Sequence, residues 1–330
     1  MEKIKLGVLG ISNHFIKRVF FPLLESSLIE VYALASRSPD KARTFSEKYG
    51  IEKWYGSYED LLEDKDIDAV YIPLPNHLHL EYIKKAADAG KHILCEKPLT
   101  LSYKDTEEAV KYAKDKKVLL MEAFMYKFHS QWLKAKELIE RRELGEIQTI
   151  HTYFSYNNPD PDNYRNNPDY GGGVLLDIGV YAVSTARFLL GKEPDKVLAI
   201  LERERFGVDT LVSGILYFGK SRSLFTVSGL TFPWQNIEVY GTGGTLFIEV
   251  PFNTYPDVPA HVNVTTSIGQ RTISLGPEDH YLLEFEYFAN AIQRGISLKH
   301  LNEDSILNAK TIDALFLSAK EGRWVDLNEL

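Results

Sequence analysis

The chain has 330 residues, of which 44% are hydrophobic and 25% are charged, a composition typical of a folded protein long enough for two domains. Its formal net charge of −8 argues against a general nucleic-acid surface, because such a surface needs clustered lysine and arginine. The single cysteine, Cys95, excludes an internal disulfide framework and a cysteine-rich zinc site, and its apolar neighbours predict a buried structural thiol.

The elements predicted for the first 124 residues alternate between strands and helices. Short apolar runs without polar alternation fit strands that are buried on both faces of a parallel sheet. These runs occupy residues 5–10, 29–35, 68–74, 92–96 and 118–124. Between the runs, Ser38, Ser57 and Ser102 stand where helix N-caps belong. The alternation predicts an α/β, doubly wound parallel sheet with a ligand site beyond the carboxyl ends of its strands.

A different pattern begins at residue 125. The predicted elements are a helix over 130–145, a strand over 147–156, a polar loop over 157–173, a helix over 174–191, strands to about 276, and amphipathic helices over 280–295 and 305–322. A loop of that length is typical of a functional or mobile segment, and the turn residues between the later strands indicate antiparallel pairing. We therefore predict one domain over 1–124 and an α+β domain with a large, open, mainly antiparallel sheet over 125–330, packed around one cleft.

The turn after the first predicted strand, "GVLGISNHF" (7–15), stands where a dinucleotide-binding fold places its phosphate-binding turn. Only the first glycine of the usual pattern is present, because Ser12 and Phe15 replace the other two. Two readings stay open at this point, tight strand-end packing and a helix N-terminus that faces an anion. In the second reading the binding residues are Gly10, Ile11, Ser12, Asn13 and His14.

The end of the second predicted strand carries Ser36 and Arg37, with Lys41 one helical turn later. An NAD-selective site would place an acidic residue there for the ribose hydroxyls. A hydroxyl and a guanidinium suit a 2′-phosphate instead. We predict NADP as the cofactor, with NAD still possible; the alternative is that Arg37 is a solvated turn residue.

Two polar clusters follow the third and fourth apolar runs, "PLPNHLH" (73–79) and "CEKP" (95–98). Because the carboxyl ends of parallel strands meet at one edge of a sheet, both clusters should face the same ligand site. Further on, Asp177 and Tyr181 are four residues apart and share one helix face, although surface charge and core packing would explain either residue alone. His77 and His79 lack a third ligand at a suitable spacing, so we expect no metal site.

The motifs "AGKHILCEKPLT" (89–100), "YIPLPNHLH" (71–79), "MEAFMYKFH" (121–129), "GGGVLLDIGVY" (171–181) and "IEVYGTGGTL" (237–246) resemble, in the same order, the Gfo/Idh/MocA oxidoreductases. The resemblance covers almost the whole chain. It implies an N-terminal Rossmann domain and a C-terminal sheet domain that often mediates dimerisation. Tyr181, where many members have histidine, is similar to the branch of glucose-fructose oxidoreductase, dimeric dihydrodiol dehydrogenase and NADP-linked xylose dehydrogenase.

The resemblance also implies roles for individual residues. Lys97 matches the catalytic lysine, Asp177 the active-site aspartate, and the Lys97-Pro98 bond is expected to be cis. Lys127 stands where that branch usually has arginine, which leaves its cofactor contact open. The other predicted cofactor residues on the first sheet are Leu74, Pro75, Asn76, His79, Glu96 and Lys97 itself.

Oxidation of a secondary alcohol requires a hydride acceptor and a base for the hydroxyl proton, and reduction runs the same steps backward. Either Lys97 or Tyr181 can carry the proton, and both are expected to bind the reacting oxygen. Asp177 would hold a neighbouring hydroxyl and Lys97. Aromatic faces and polar tips suit a polyol, so the predicted substrate residues are Tyr126, Phe154, Tyr164, Arg165, Asp177 and Tyr181.

The leading hypothesis is an NADP-dependent oxidoreductase that acts on a secondary alcohol or ketone of a sugar, cyclitol or related diol. Two alternatives on the same fold are an NAD-assisted glycosidase and a non-enzymatic nucleotide-binding regulator. We expect a homodimer or homotetramer formed through the C-terminal sheet, with no nucleic-acid or membrane partner. No apolar run approaches about 18 residues and no signal peptide is recognisable, so we expect a cytoplasmic protein.

Overall fold

The structure is a computed structural model that describes residues 2–203 and 205–330. These residues form two compact units. The first unit contains the described residues up to Met125 together with His280–Ile306, and the second contains Tyr126–Asp279 and Leu307–Leu330. The helix over 280–294 therefore belongs to the first unit. The sequence prediction had placed it in the second domain, because that domain was drawn as one continuous segment over 125–330.

The strands form two sheets. They are β1 Ile4–Leu9, β2 Ile29–Ala35, β3 Lys53–Tyr55, β4 Ala69–Ile72, β5 His92–Glu96, β6 Leu120–Ala123, β7 Ile147–Asn157, β8 Lys196–Glu202, β9 Leu211–Phe218, β10 Ser221–Ser228, β11 Leu230–Gly241, β12 Gly244–Ile248, β13 Ala260–Thr266, β14 Gly269–Leu275 and β15 Val325–Asp326. The first unit holds β1 to β6 and the second holds β7 to β15.

The helices are α1 Phe21–Leu23, α2 Pro39–Tyr49, α3 Tyr58–Glu63, α4 His79–Asp88, α5 Tyr103–Asp115, α6 Ser130–Glu140, α7 Val180–Leu190, α8 His280–Arg294 and α9 Lys299–Glu321. Two of them are preceded by π-helical turns, Phe15–Phe20 before α1 and Leu175–Gly179 before α7. The predicted serine caps are confirmed, because the hydroxyls of Ser38, Ser57 and Ser102 accept hydrogen bonds from backbone amides at the starts of α2, α3 and α5.

The first sheet is entirely parallel, with the strand order β3-β2-β1-β4-β5-β6. Alternate residues of its central strands are buried on opposite faces. Val70 and Ile72 pack in a cluster with Cys95, whereas the ring of Tyr71 packs against Phe15 and Phe285, with ring centroids 6.2 and 5.0 Å away. This is the doubly wound order that places a ligand at the carboxyl ends of β1 and β4. Cys95 is fully buried, as predicted, and burial raises the pKa of its thiol.

The second sheet has nine strands in the order β14-β13-β12-β11-β7-β10-β9-β8-β15. Every neighbouring pair is antiparallel except β7 and β10, which are parallel. The prediction of a large, open, mainly antiparallel sheet is therefore confirmed. One face of this sheet carries large exposed side chains, among them Ile200 and Leu211.

One helical stretch, Pro168–Leu190, is long and apolar enough to cross a membrane. It was not identified as such from the sequence, because its apolar residues do not form an uninterrupted run. Its most apolar window is 89% buried inside the protein. A buried core helix passes the same test of length and composition, and packing accounts for the apolar surface of this one.

Candidate active site

The turn after β1 is shaped by a glycine with a positive φ and by hydrogen bonds to neighbouring elements. Gly10 has a φ of +106°, and its amide donates a hydrogen bond to Ala35 O on the neighbouring strand. The Ser12 hydroxyl accepts a hydrogen bond from the Phe15 amide at 3.0 Å, so its own hydrogen remains able to be donated. The Lys41 ammonium donates to Ile11 O at 2.7 Å and ties this turn to α2.

Phe15, which replaces a small residue in the turn, points into the core. It is fully buried, and its ring lies 5.7 Å from Phe20, 6.3 Å from Phe45 and 6.2 Å from Tyr71. The side chain therefore joins the helix to the sheet, and its bulk is accommodated away from the turn's ligand-facing amides.

The end of β2 presents cationic and hydroxyl groups. Arg37 and Lys41 are exposed, and the Ser36 hydroxyl accepts a hydrogen bond from the Ser38 amide. The hydroxyl of Tyr58, at the start of α3, interacts with Arg37; burial raises the pKa of Tyr58, while the charge of Arg37 opposes that rise. Asp40, the nearest carboxylate along the chain, pairs with Arg43 at 3.0 Å. This donor set suits a phosphate group rather than ribose hydroxyls.

Glu96, at the end of β5, is held in its ionised form. Tyr71 donates its hydroxyl hydrogen to Glu96 Oε1, and His14 Nε2 lies 3.5 Å from the same oxygen. Burial alone would raise the pKa of Glu96, but His14, Tyr71 and the charge of Lys97 together lower it to about 2. Burial and the charge of Glu96 raise the pKa of Tyr71, so the phenol stays protonated as the donor.

The residues after Lys97 are fixed by contacts from neighbouring strand ends. The Lys97-Pro98 bond is cis, as the family resemblance implied. His79 Nδ1 lies 2.8 Å from Pro98 O and its Nε2 lies 2.9 Å from Leu74 O. Glu122 Oε1 accepts the Leu99 amide at 2.8 Å. The backbone that follows the half-buried Lys97 is thus held at Pro98 and at Leu99.

These contacts correct the role predicted for His79. The ring is fully buried and both of its nitrogens face backbone carbonyls, so it joins the turns after β4 and β5 and is not exposed to a cofactor. Burial lowers the pKa of His79, although its two carbonyl partners and Glu96 favour the protonated ring.

The helix start in the second unit holds the Asp177 carboxylate tightly. Arg165 Nε donates to Asp177 Oδ2 at 2.8 Å, and the Arg165 guanidinium lies 4.6 Å above the Tyr164 ring. Burial alone would lower the pKa of Arg165, but the charge of Asp177 raises it. Burial and then the same carboxylate, with which the phenol also hydrogen-bonds, raise the pKa of Tyr156. Asp177 is therefore bound by the predicted loop and by β7.

Tyr181 lies in an aromatic environment. Its ring is 5.1 Å from Phe252 and 6.0 Å from Phe154, which stacks on Phe252 at 4.8 Å. Tyr126 packs 6.3 Å behind Tyr181, but it is fully buried and its hydroxyl hydrogen-bonds Ser184 at 2.7 Å. The prediction that Tyr126 lines a substrate pocket is corrected accordingly, because its polar tip is used within the core.

The predicted residues thus form two groups. In the first unit, the ends of β1, β2, β4 and β5 collect Gly10, Ile11, Ser12, Asn13, His14, Ser36, Arg37, Lys41, Leu74, Pro75, Asn76, Glu96 and Lys97. In the second unit, Phe154, Tyr164, Arg165, Asp177 and Tyr181 lie around one helix start. Lys127 is half-buried on a short 3₁₀ turn, Met125–Phe128.

Sequence reasoning missed Tyr58, Tyr71 and Phe252. All three are aromatic residues in segments that read as ordinary core, so no local pattern marks them. A tyrosine of the site differs from an ordinary core tyrosine only in the polar group that its hydroxyl contacts, and that group lies on another element. Over the described parts of the chain, no three or more histidine, cysteine, aspartate or glutamate side chains are grouped as metal ligands.

Comparisons with known proteins agree with this arrangement. A family model described as "Oxidoreductase family, NAD-binding Rossmann fold" matches residues 4–124, and a model of the "GFO/IDH/MocA C-terminal domain" matches residues 132–247. The chain is similar to D-xylose 1-dehydrogenase (NADP(+)) 2 of Haloferax volcanii, with 40% identity over 98% of this chain and 99% of that protein.

Two solved structures are similar over nearly the whole chain. A 3-ketoreductase from Actinomadura kijaniata, in complex with NADP and TDP-benzene, has a TM-score of 0.90 and 32% identity over 96% of this chain and 98% of that one. An aldose-aldose oxidoreductase from Caulobacter crescentus, complexed with glycerol, has a TM-score of 0.90 and 26% identity over 98% and 100%. With both family models matched in order, the chain belongs to the Gfo/Idh/MocA oxidoreductase family.

Proposed function

We propose that this oxidoreductase uses NADP to interconvert a secondary alcohol and a ketone on a sugar, cyclitol or related diol. The observation that carries the proposal is the turn over residues 96–99, which surrounds one half-buried lysine. Two neighbouring side chains hold its backbone at Pro98 and Leu99, and a third holds the Glu96 carboxylate. Fixing the backbone in this way costs conformational entropy. It gives a surface lysine no advantage, but it positions a lysine that must contact a reacting group.

The residues of the first unit fit the cofactor. Gly10 has a φ of +106°, which favours glycine, and it shapes the turn in which the amides of residues 11–14 would bind a diphosphate. Ser36, Arg37 and Lys41 would bind the 2′-phosphate, since nothing acidic stands at the end of β2 to favour NAD. Asn76 and Glu96 would orient the nicotinamide side. When bound, the nicotinamide supplies hydride transfer.

The proton is handled by this chain's own side chains. Lys97 and Tyr181 are the two candidates, and each would hydrogen-bond the reacting oxygen and accept its proton during oxidation. Arg165 and Tyr156 hold the Asp177 carboxylate, and Arg165 and Tyr164 would bind further substrate hydroxyls beside it. Two of the relatives named above are named for aldoses, the D-xylose dehydrogenase and the aldose-aldose oxidoreductase, which supports a polyhydroxylated substrate.

The test is NADP-linked absorbance change over a panel of aldoses, cyclitols, ketosugars, nucleotide-activated ketosugars and diols. Lys97→Met should bind NADPH normally and lose turnover by about 100-fold or more, the scale of a general acid/base contribution. Lys104→Met, an exposed lysine on α5, is the matched control and should keep full turnover. Normal turnover in Lys97→Met would remove that lysine from the mechanism.

Two other outcomes would replace the proposal. Release of free sugar from a glycoside, without net change in nicotinamide absorbance, would identify an NAD-assisted glycosidase. Tight nucleotide binding with neither reaction over the whole panel would favour a regulator.

The oligomeric state is a separate proposal. We propose that two copies pair through the exposed face of the nine-stranded sheet, where Ile200 is 69% exposed and shares a shallow concavity with His151, Tyr153, Leu198, Ile215 and Leu224. Ile200→Glu should lower the mass measured by light scattering, whereas Ile268→Glu, at a 98% exposed turn residue, should not. An unchanged mass in Ile200→Glu would exclude this face.

A further inference from the structure

The helix that carries Asp177 and Tyr181 is capped by a residue far away in sequence. Val174, at its start, has an apolar side chain that cannot accept a hydrogen bond from the first free amides. Asp209, in the connection between β8 and β9, supplies both acceptors. Its carboxylate Oδ2 accepts the Leu175 amide at 2.6 Å, and its backbone oxygen accepts the Val174 amide at 2.9 Å.

The surrounding backbone is shaped to admit this carboxylate. Gly173 has a φ of +113°, and a Cβ there would lie 2.3 Å from Asp209 Oδ1 and 2.9 Å from its Cγ. A Cβ on Gly172 would lie 2.4 Å from Arg165 O, which itself accepts the Gly173 amide at 2.8 Å. Two glycines of the "GGG" motif thus make room for Asp209 on one side and for the loop of Arg165 on the other.

Asp209 is itself well fixed. It is only 3% exposed, and the next amide, that of Thr210, donates to Glu202 O at 2.8 Å. Burial raises the pKa of Asp209, while the Leu175 amide and the charge of Arg203 oppose that rise. The backbone next to Asp209 is therefore hydrogen-bonded to the sheet, and the Asp209 carboxylate has a defined donor on the helix.

We propose that Asp209 is a positioning residue for the reaction, which sets where the helix begins and hence where Asp177 and Tyr181 stand. This inference rests on the function proposed for those two residues. The Asp177 amide donates to Gly173 O at 3.0 Å, so a shift of the helix start carries Asp177 with it. Misplacement of a reacting group by about 1 Å can cost about 100-fold in rate.

Three variants test the proposal. Asp209→Ala removes the acceptor and should lower kcat by about 10- to 100-fold, while the Kd for NADPH, whose site lies in the first unit, stays within about 2-fold. Asp209→Asn keeps an oxygen for the Leu175 amide and should restore kcat to within about 3-fold of the parent chain. Asp209→Glu keeps the charge, but its extra methylene displaces the carboxylate from the position in which it accepts the Leu175 amide, so kcat should fall again.

The outcomes decide between positioning and general stability. If Asp209→Ala does not fold, the other two variants decide the question, because the proposal requires a higher kcat in Asp209→Asn than in Asp209→Glu. Equal kcat in all folded variants, or a fall in Asn as deep as in Ala, would overturn the proposal. Asp326→Ala is the matched control, because Asp326 caps the turn Leu327–Glu329 through the Asn328 amide at 2.8 Å and should leave kcat unchanged.

Hydrogen exchange separates this inference from the proposed function. The amides of Leu175–Gly179 should exchange faster in Asp209→Ala and remain protected in Asp209→Asn, whatever substrate the protein turns over. Unchanged protection in the alanine variant would refute the role of Asp209 even if the sugar panel succeeds. Failure of the panel with the expected exchange pattern would instead refute the proposed function alone.

Discussion

The two units start their site helices in the same way but hold them differently. Each helix begins with π-helical turns, Phe15–Phe20 in the first unit and Leu175–Gly179 in the second, and each follows a glycine with positive φ. In the first unit the hydroxyl of Ser12 caps the amide three residues ahead. In the second unit the cap comes from Asp209, 34 residues after its partner.

This difference separates a locally specified turn from one that depends on tertiary structure. At the first helix start, the side chain that caps the free amide comes from the turn itself, because Ser12 accepts from Phe15. The second exists only when β8, β9 and the loop over 157–173 have packed around it. Mutations at the two helix starts should therefore differ both in the size of their effects and in the property that they affect.

The largest expected effect is that of Gly173→Ala. The new Cβ would force Asp209 away and leave a buried amide without an acceptor, which adds about 1–3 kcal/mol to a φ strain of similar size. Gly10→Ala meets only the flexible end of Leu74 at 3.2 Å, so we expect it to cost no more than the strain. Urea unfolding of both variants measures the difference. Gly191→Ala is the control for backbone strain alone, because Gly191 has a φ of +63° and open space around its Cβ. If Gly173→Ala lost no more free energy of unfolding than Gly191→Ala, the predicted loss of the Asp209 contact would be contradicted.

The next effect is the acid stability of the first unit. Because the folded-state pKa of Glu96 is lowered from 4.5 to about 2, its contribution is complete above the unfolded pKa and is lost as pH falls from about 4.5 to about 2. The shift corresponds to an upper value of about 3 kcal/mol. The difference in Tm between the parent chain and Glu96→Gln should therefore shrink over that range. Glu107→Gln is an exposed control, and a constant difference would show that Glu96 is not held ionised.

A smaller effect is expected for the cofactor preference. In the proposed binding mode, Arg37→Asp would replace a charge-assisted hydrogen bond to the 2′-phosphate with repulsion, so the Kd for NADP should rise by roughly 30- to 100-fold while that for NAD changes little. Arg43, on α2, pairs with Asp40, so Arg43→Ala should alter neither constant. Fluorescence titration measures both constants, and tighter NAD than NADP binding by the parent chain would overturn the assignment.

The smallest effect is that of Ser12→Ala. Loss of a side-chain cap costs about 1 kcal/mol, and the loss of the hydroxyl should also weaken NADP binding. Ser57→Ala removes an equivalent cap at the start of α3, where the Asp60 amide donates at 3.0 Å. It should therefore cost similar stability without changing NADP affinity. Equal NADP affinity in both variants would show that Ser12 serves the helix alone.

Features encoded within a few residues were predictable from sequence. Strands β2 and β5 begin and end at the predicted residues, and the three serine caps act as expected. Strand β3 was missed because it has only three residues and no apolar run. Helix α9 begins six residues before the predicted start, where polar residues hide its first turns. His79 and Tyr126 were misjudged because polar tips look alike in sequence whether they meet a ligand or a backbone carbonyl.

The order of motifs along the chain thus determined the family, the two sheets and the position of Lys97, because buried strands, caps and turns leave short-range patterns in residue type. Tertiary structure alone decided that α8 packs with the first unit, that β7 and β10 run parallel, and that Asp209 caps the helix of Asp177. Those contacts join residues tens of positions apart, and a hydrogen bond between such residues leaves no periodicity in sequence from which it can be predicted.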